Sequence, residues 1–273
     1  MNLVIAKLIM RLAKKRNCNM AVLTEKQIKY GFDYYHKDEK QLKSVVEVSE
    51  YDGEDKLMIN CTQLDEDYSA KDKKRILQEW CSFLVEHPDI FTELMFCTRM
   101  PQELFDAVCA QRRLKRLHIK WGVYPDILKL ENLQELEYLH IGSGRSVSSL
   151  EPISRLVNLV ALSIENFQQI DDYAPLANLK HLESLALEGD FAAPKILKVQ
   201  SLEFLRHMKQ LRFFSLLTAK VIDKDYSPVL ELNNLEHLTL KSCKEVKQLY
   251  PQFVKLPKLK YGTVLERPEL YEK

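Results

Sequence analysis

The chain has 273 residues, of which 46% are hydrophobic, 29% charged and 9% aromatic, a soluble globular profile long enough for one elongated domain or two compact ones. Forty basic residues against 39 acidic ones leave a net charge of +1, without the basic excess of a generic nucleic-acid binder. Seven glycines, with no GxxxxGK(S/T) and no GxGxxG, exclude the common nucleotide-binding loops.

Residues 1–19 carry Lys7, Arg11, Lys14, Lys15 and Arg16 ahead of the first acid, Glu25, interleaved with Leu3, Val4, Leu8, Ile9 and Leu12. This reads as a basic amphipathic helix at a membrane surface or a disordered arm, and Met20 is a rival start. Apolar residues come first and charges last, the reverse of a secretory signal. No apolar run approaches the roughly 18–20 residues of a membrane span, so no stable membrane insertion is expected. The six cysteines show no CxxC pair, and a cytoplasmic protein with reduced thiols is expected.

Residues 20–90 read as an α/β N-terminal cap. Lys71–Glu86 sets Ile76, Leu77, Trp80, Phe83 and Leu84 at helical spacing. Ser44–Ser49 and Lys56–Cys61 alternate like strands around a hairpin-like turn at residues 50–55. Nine acids between Glu47 and Asp72, against Lys56 and Lys71, read first as a solvated surface and second as a docking patch for a basic partner.

From residue 114 onward leucine fills 32 of 160 positions, against 11 of the first 113. The leucines are periodic: Leu114-x-x-Leu117-x-Ile119 recurs from Leu136, Leu159, Leu182, Leu211 and Leu235. A degraded copy starts at Leu259, and Phe91-x-x-Leu94-x-Phe96 is a founding copy. Apolar pairs lie six and three residues ahead of each start, from Leu130/Leu133 to Phe253/Leu256, as suits a short helical return with one buried face. Pro152, Pro175 and Pro228 stand where a first helical turn begins. Around Asp190–Gln200 about six extra residues form an apolar rim loop or packed bulge carrying Phe191, Pro194 and Ile196. Residues 91–265 are thus the repeat region and 266–273 a C-terminal tail.

On these motifs the chain resembles the leucine-rich repeat proteins, specifically the short 22-residue subclass named for a phosphatase regulator and common in bacteria. The resemblance implies an α/β fold: a curved leucine-rich repeat solenoid with a parallel concave sheet and the α/β cap at its N-terminus. It departs at the ninth repeat position, where the family's asparagine is replaced by Gly122, Gly144, Phe167, Asp190, Ala219 and Cys243.

Alternation along the strands turns the third, fifth and seventh repeat positions into the concavity. Small residues (Ala161, Ser163, Ser184, Ala186) then floor a trough, flanked by Arg116, His118, Lys120, Trp121, Tyr138 and His140 on one side and Phe213, His237 and Lys241 on the other. Glu165 and Glu188 form an acidic strip beside the floor. These are the expected partner-binding residues, aromatic and arginine anchors being typical of interface hot spots. His118 and His140 share a column, but a metal would need a third ligand, and no metal or other cofactor is expected. No catalytic constellation is placed by any motif. The expected function is a non-enzymatic, monomeric protein-interaction module with a protein partner on its concave face, one concrete version being a bacterial adaptor or immunity-type protein. The alternative is a ligand-sensing receptor or enzyme with its active part in residues 20–90.

Overall fold

The computed structural model describes residues 22–31, 42–190 and 195–272. Among them nine strands form one sheet, each parallel to its neighbours and paired in chain order: β1 (Ser44–Val45), β2 (Lys56–Ile59), β3 (Glu93–Phe96), β4 (Arg116–Ile119), β5 (Tyr138–Ile141), β6 (Ala161–Glu165), β7 (Ser184–Glu188), β8 (Phe213–Leu217) and β9 (His237–Leu240). Strands appear at all six expected copies, each starting two residues after its leading leucine. That leucine still closes the preceding turn, as where the Leu136 amide donates to the Leu133 carbonyl at 3.0 Å.

The repeat explains the core. Leu117, Ile119, Leu139, Ile141, Leu162, Ile164, Leu185 and Leu187 alternate inward and are at most 1% exposed. Behind them run short helical returns at Leu128–Asn132, Glu151–Ser154, Ala174–Asn178, Glu203–His207 and Ser227–Glu231. Pro152, Pro175 and Pro228 occupy their first turns, where a missing amide costs no hydrogen bond. Neither strand nor return buries its apolar face alone, so each copy is stable only when stacked.

The N-terminal part differs from expectation. Ser44–Val45 and Lys56–Ile59 pair in parallel rather than as a hairpin, joined through a short helical turn at Val48–Glu50. They extend the repeat sheet, so the same core continues ahead of residue 91. The helix Ala70–Glu86 is the return between β2 and β3; it buries Ile76, Trp80 and Leu84, and the Trp80 indole donates to the Val46 carbonyl at 2.8 Å. Ser69 caps it by accepting from the Asp72 amide. The acids of this region have local partners: Asp52 and Glu54 hold Lys43, Glu47 faces Arg75, and Glu50 accepts from the Val46 and Glu47 amides. These four acids are thus engaged within the segment, although one Glu54 carboxylate oxygen is buried without a hydrogen-bond partner.

At the far end the copy at Leu259 makes one bridge, Tyr261 to His237, then turns into a short helix at Thr263–Glu266. Tyr271 seals this end, 2% exposed, its hydroxyl donating to the Leu240 carbonyl.

The missing asparagine ladder is replaced by shape. A side-chain carbon at Gly144 would fall 1.8 Å from the Phe167 ring. The fully buried Phe167 of one repeat therefore fills the space left by the glycine of the repeat before it. The Tyr124 hydroxyl donates to the Gly142 carbonyl in the same row of turns. Of the extra residues near 190–200, Leu197–Val199 pairs with Ala219–Val221 in a small side ladder and Ile196 is 45% exposed, while Phe191 and Pro194 lie outside the described residues. Cys61, Cys81, Cys97, Cys109 and Cys243 are free thiols, and burial pushes Cys61 up to about 12 and Cys81 to about 11. Among the described residues no helix is long and apolar enough to cross a membrane, and the basic segment 1–19 lies outside them.

Candidate functional site

Strand register assembles the concave columns. The third repeat position runs Glu93, Arg116, Tyr138, Ala161, Ser184, Phe213, His237; the fifth runs Met95, His118, His140, Ser163, Ala186, Ser215, Thr239. Arg116 stacks over Tyr138 with its guanidinium carbon 4.6 Å from the ring centre. His118 and His140 stack with centroids 4.3 Å apart, and the His140 Nδ1 lies 3.0 Å from the Ser163 hydroxyl. Phe213 and His237 rings lie 4.2 Å apart. Glu165 and Glu188 are directly opposite across β6 and β7. Lys120 and Lys241 are exposed just beyond the ends of β4 and β9, and Trp121 beside Lys120 is half-buried.

The trough is not an open floor. A helix at Glu25–Tyr30 (α1) and the residues before it lie in it. Thr24 caps α1 reciprocally, accepting from the Gln27 amide while Gln27 accepts from the Thr24 amide. Leu23 and Ile28, 2% and 0% exposed, pack with Tyr138, Val160, Ala161, Ala186 and Phe213 in an apolar cluster separate from the solenoid core. Gly31 ends α1 at φ +76°, against the Phe213 ring. The small residues of the floor thus make room for a helix, and that helix belongs to the same chain.

Polar contacts fix its position. Glu183 accepts from the backbone amides of Val22 and Leu23 at 3.3 and 3.4 Å. Arg212 donates to the Leu23 carbonyl at 3.1 Å and to Glu183 at 2.9 Å, and pairs with Glu236 at 2.7 Å. The Tyr261 hydroxyl donates to Glu25 at 2.6 Å. Glu183, Arg212, Glu236 and Lys260 form one ladder at the second repeat position, with Lys115 and Glu137 further along the same column. This column is not among the expected site residues. Its alternating charges at the repeat period are visible in the sequence, but the second position precedes the strand proper, so alternation along the strand does not assign it to the concavity.

Among the described residues no group of three His, Cys, Asp or Glu side chains could hold a metal ion. Against the helix Ala70–Glu86 lies an open depression lined by Val48, Arg75, Glu79 and Phe83, too shallow to exclude water from reacting groups.

No family model and no curated protein matches the chain. Solved structures do. An internalin F structure from Listeria monocytogenes matches at TM-score 0.50 and 19% identity over 63% of this chain and 53% of its own. The chain is a leucine-rich repeat solenoid. A leucine-rich repeat protein of Leptospira interrogans is similar at TM-score 0.49 and 17% identity, over 76% of this chain and 50% of its own. The solenoid spans about half the length of both neighbours.

Burial pushes the His237 imidazole down from its ordinary 6.5 to about 4, although Glu266 and the backbone at Ile28 and Lys29 favour its charged form. Glu25, Lys26 and Lys29 on α1, with Glu236 and Lys260 beside the bridge between His237 and Tyr261, are the other charges carried by the elements packed around it. His237 is therefore neutral in the folded solenoid, and its contribution is intact above pH 6.5. As pH falls from 6.5 towards 4 the unfolded chain takes up the proton first, so stability is lost across that window. The expected loss by pH 5 is about 2 kcal/mol. Denaturation at pH 7.5 and 5.0 checks this against His237→Gln, which should lose less on acidification; equal losses would mean that His237 stays solvated.

Proposed function

We propose that the solenoid is a non-enzymatic protein-interaction module that binds a protein partner on its concave face, in the manner of a bacterial adaptor or immunity-type protein. One observation carries this reading: the face already holds a polypeptide segment through two buried apolar side chains and through hydrogen bonds to backbone amides and a carbonyl. A surface that grips main chain as well as side chains suits a protein ligand. Arg116, His118, Tyr138, His140, Phe213 and His237 line the groove, Glu165 and Glu188 edge it, and Lys120, Trp121 and Lys241 stand at the ends of its strands. The rival reading, a receptor or enzyme within residues 20–90, is disfavoured because the strands and helix of residues 42–90 are spent on the shared core and α1 is spent on the groove. Hydrogen exchange with a purified partner is the test. Protection should fall on β5–β8 and be lost with Ala161→Arg, which fills the groove floor. Protection confined to residues 42–90 would overturn the reading.

A further inference from the structure

We propose that Val22–Gly31 is an internal stand-in for the true ligand, so that the concave face recognises a short N-capped amphipathic helix in trans and must release its own helix to do so. This deepens the preceding reading and rests on it.

Three features carry the inference. The cluster made by Leu23 and Ile28 is separate from the continuous core of the solenoid, so the repeats stack without it. The segment is held as a bound peptide is held: two apolar side chains buried in one cluster, two amides on Glu183, one carbonyl on Arg212 and one carboxylate on Tyr261. The balance is also modest, since only two fully apolar side chains are buried against the ordering of ten residues. Elements of that kind open at the low end of a protein's stability range.

The contacts define the partner's chemistry. It carries an apolar residue just before a Thr-, Ser- or Asp-type cap, a second apolar residue four positions after the cap, and an acid in the first turn to accept from Tyr261. Non-helical backbone precedes the cap, because Glu183 needs two amides outside the helix. A tethered segment acts at an effective concentration of about millimolar, so a free helix of equal intrinsic affinity competes poorly and a true partner must bind better than α1 does.

The test uses the full chain and a fluorescein-labelled peptide of sequence Val22–Gly31. In Leu23→Asp/Ile28→Asp the internal helix is expected to leave the groove. The peptide should then bind one to one, at least tenfold tighter than to wild type, and adding Phe213→Ala should weaken it at least tenfold. The milder Ile28→Ala should bind with intermediate affinity, and both variants should melt cooperatively. Absence of binding to a folded variant, equal binding to variant and wild type, or loss of cooperative melting in both variants would overturn the proposal. A protein partner that protects β5–β8 without displacing the peptide sinks this inference alone; one that protects only residues 42–90 sinks the concave-face reading itself.

Discussion

Leu162→Ala and Leu185→Ala are each expected to cost about 2–5 kcal/mol, whereas Val157→Ala should stay within about 0.5 kcal/mol. All three remove apolar carbon; position decides the outcome. Leu162 and Leu185 are 0% exposed, sit opposite each other in β6 and β7, and are flanked in register by Leu139 and Phe214. Truncating either opens a cavity between close-packed neighbours that cannot collapse without shifting the adjacent repeat. Val157 lies 49% exposed beyond the return helix, so its methyls gain little from folding. Because the two leucines touch, the double variant should deviate from additivity. A lesion in mid-chain also weakens the coupling between N- and C-terminal repeats, so the denaturation transition should broaden. Equal costs at all three positions, read from urea denaturation, would mean that inward and outward positions are wrongly assigned.

The inward positions were legible because a period is a redundant signal: one leucine says little, but six copies of two interlocked patterns admit one phase. Where the copies degenerate, legibility stops. Ser44–Val45 and Lys56–Ile59 belong to the same sheet, yet neither carries the LxxLxL spacing, and two alternating stretches around an acidic turn look like a hairpin. The ninth position shows a different limit. Gly144 and Phe167 read as losses of an asparagine, while the compensation is a contact between one residue and another 23 positions away. For the candidate site, the columns of residues were readable from alternation, and Tyr138 and Phe213 both pack on Leu23 and Ile28. Their occupant was not. Thr24, Gln27 and Ile28 carry a capping box and an apolar contact that fit any surface helix, and nothing local says that its apolar side meets strands more than a hundred residues on.

The charge ladder holding that helix gives the second large effect. Arg212→Ala is expected to cost about 3 kcal/mol, well beyond the 0–1 kcal/mol of an exposed ion pair. The side chains of Arg212, Glu183 and Glu236 are 16%, 15% and 13% exposed, so each charge has surrendered most of its water. Burial works against the Arg212 charge, and its hydrogen bonds to Glu236 and Glu183 outweigh it, leaving the guanidinium above its ordinary range. Removing it strands two carboxylates unequally. Glu236 keeps Lys260 at 3.1 Å, while Glu183 keeps, among the described residues, the two long bonds from Val22 and Leu23. The Leu23 carbonyl loses its donor as well. Arg212→Lys should recover only part of the loss, because one ammonium on a flexible stem cannot span two carboxylates and a carbonyl in a fixed fork. Glu183→Gln should cost less than Arg212→Ala, since the amide oxygen still accepts and no bare charge is left behind. The readouts are denaturation and amide exchange at Leu23 and Ile28: in Arg212→Ala those two amides should exchange faster while the Leu162 and Leu185 amides keep their relative protection. If Arg212→Ala melts within about 0.5 kcal/mol of wild type, the ladder is solvated surface and the helix is held by Leu23 and Ile28 alone.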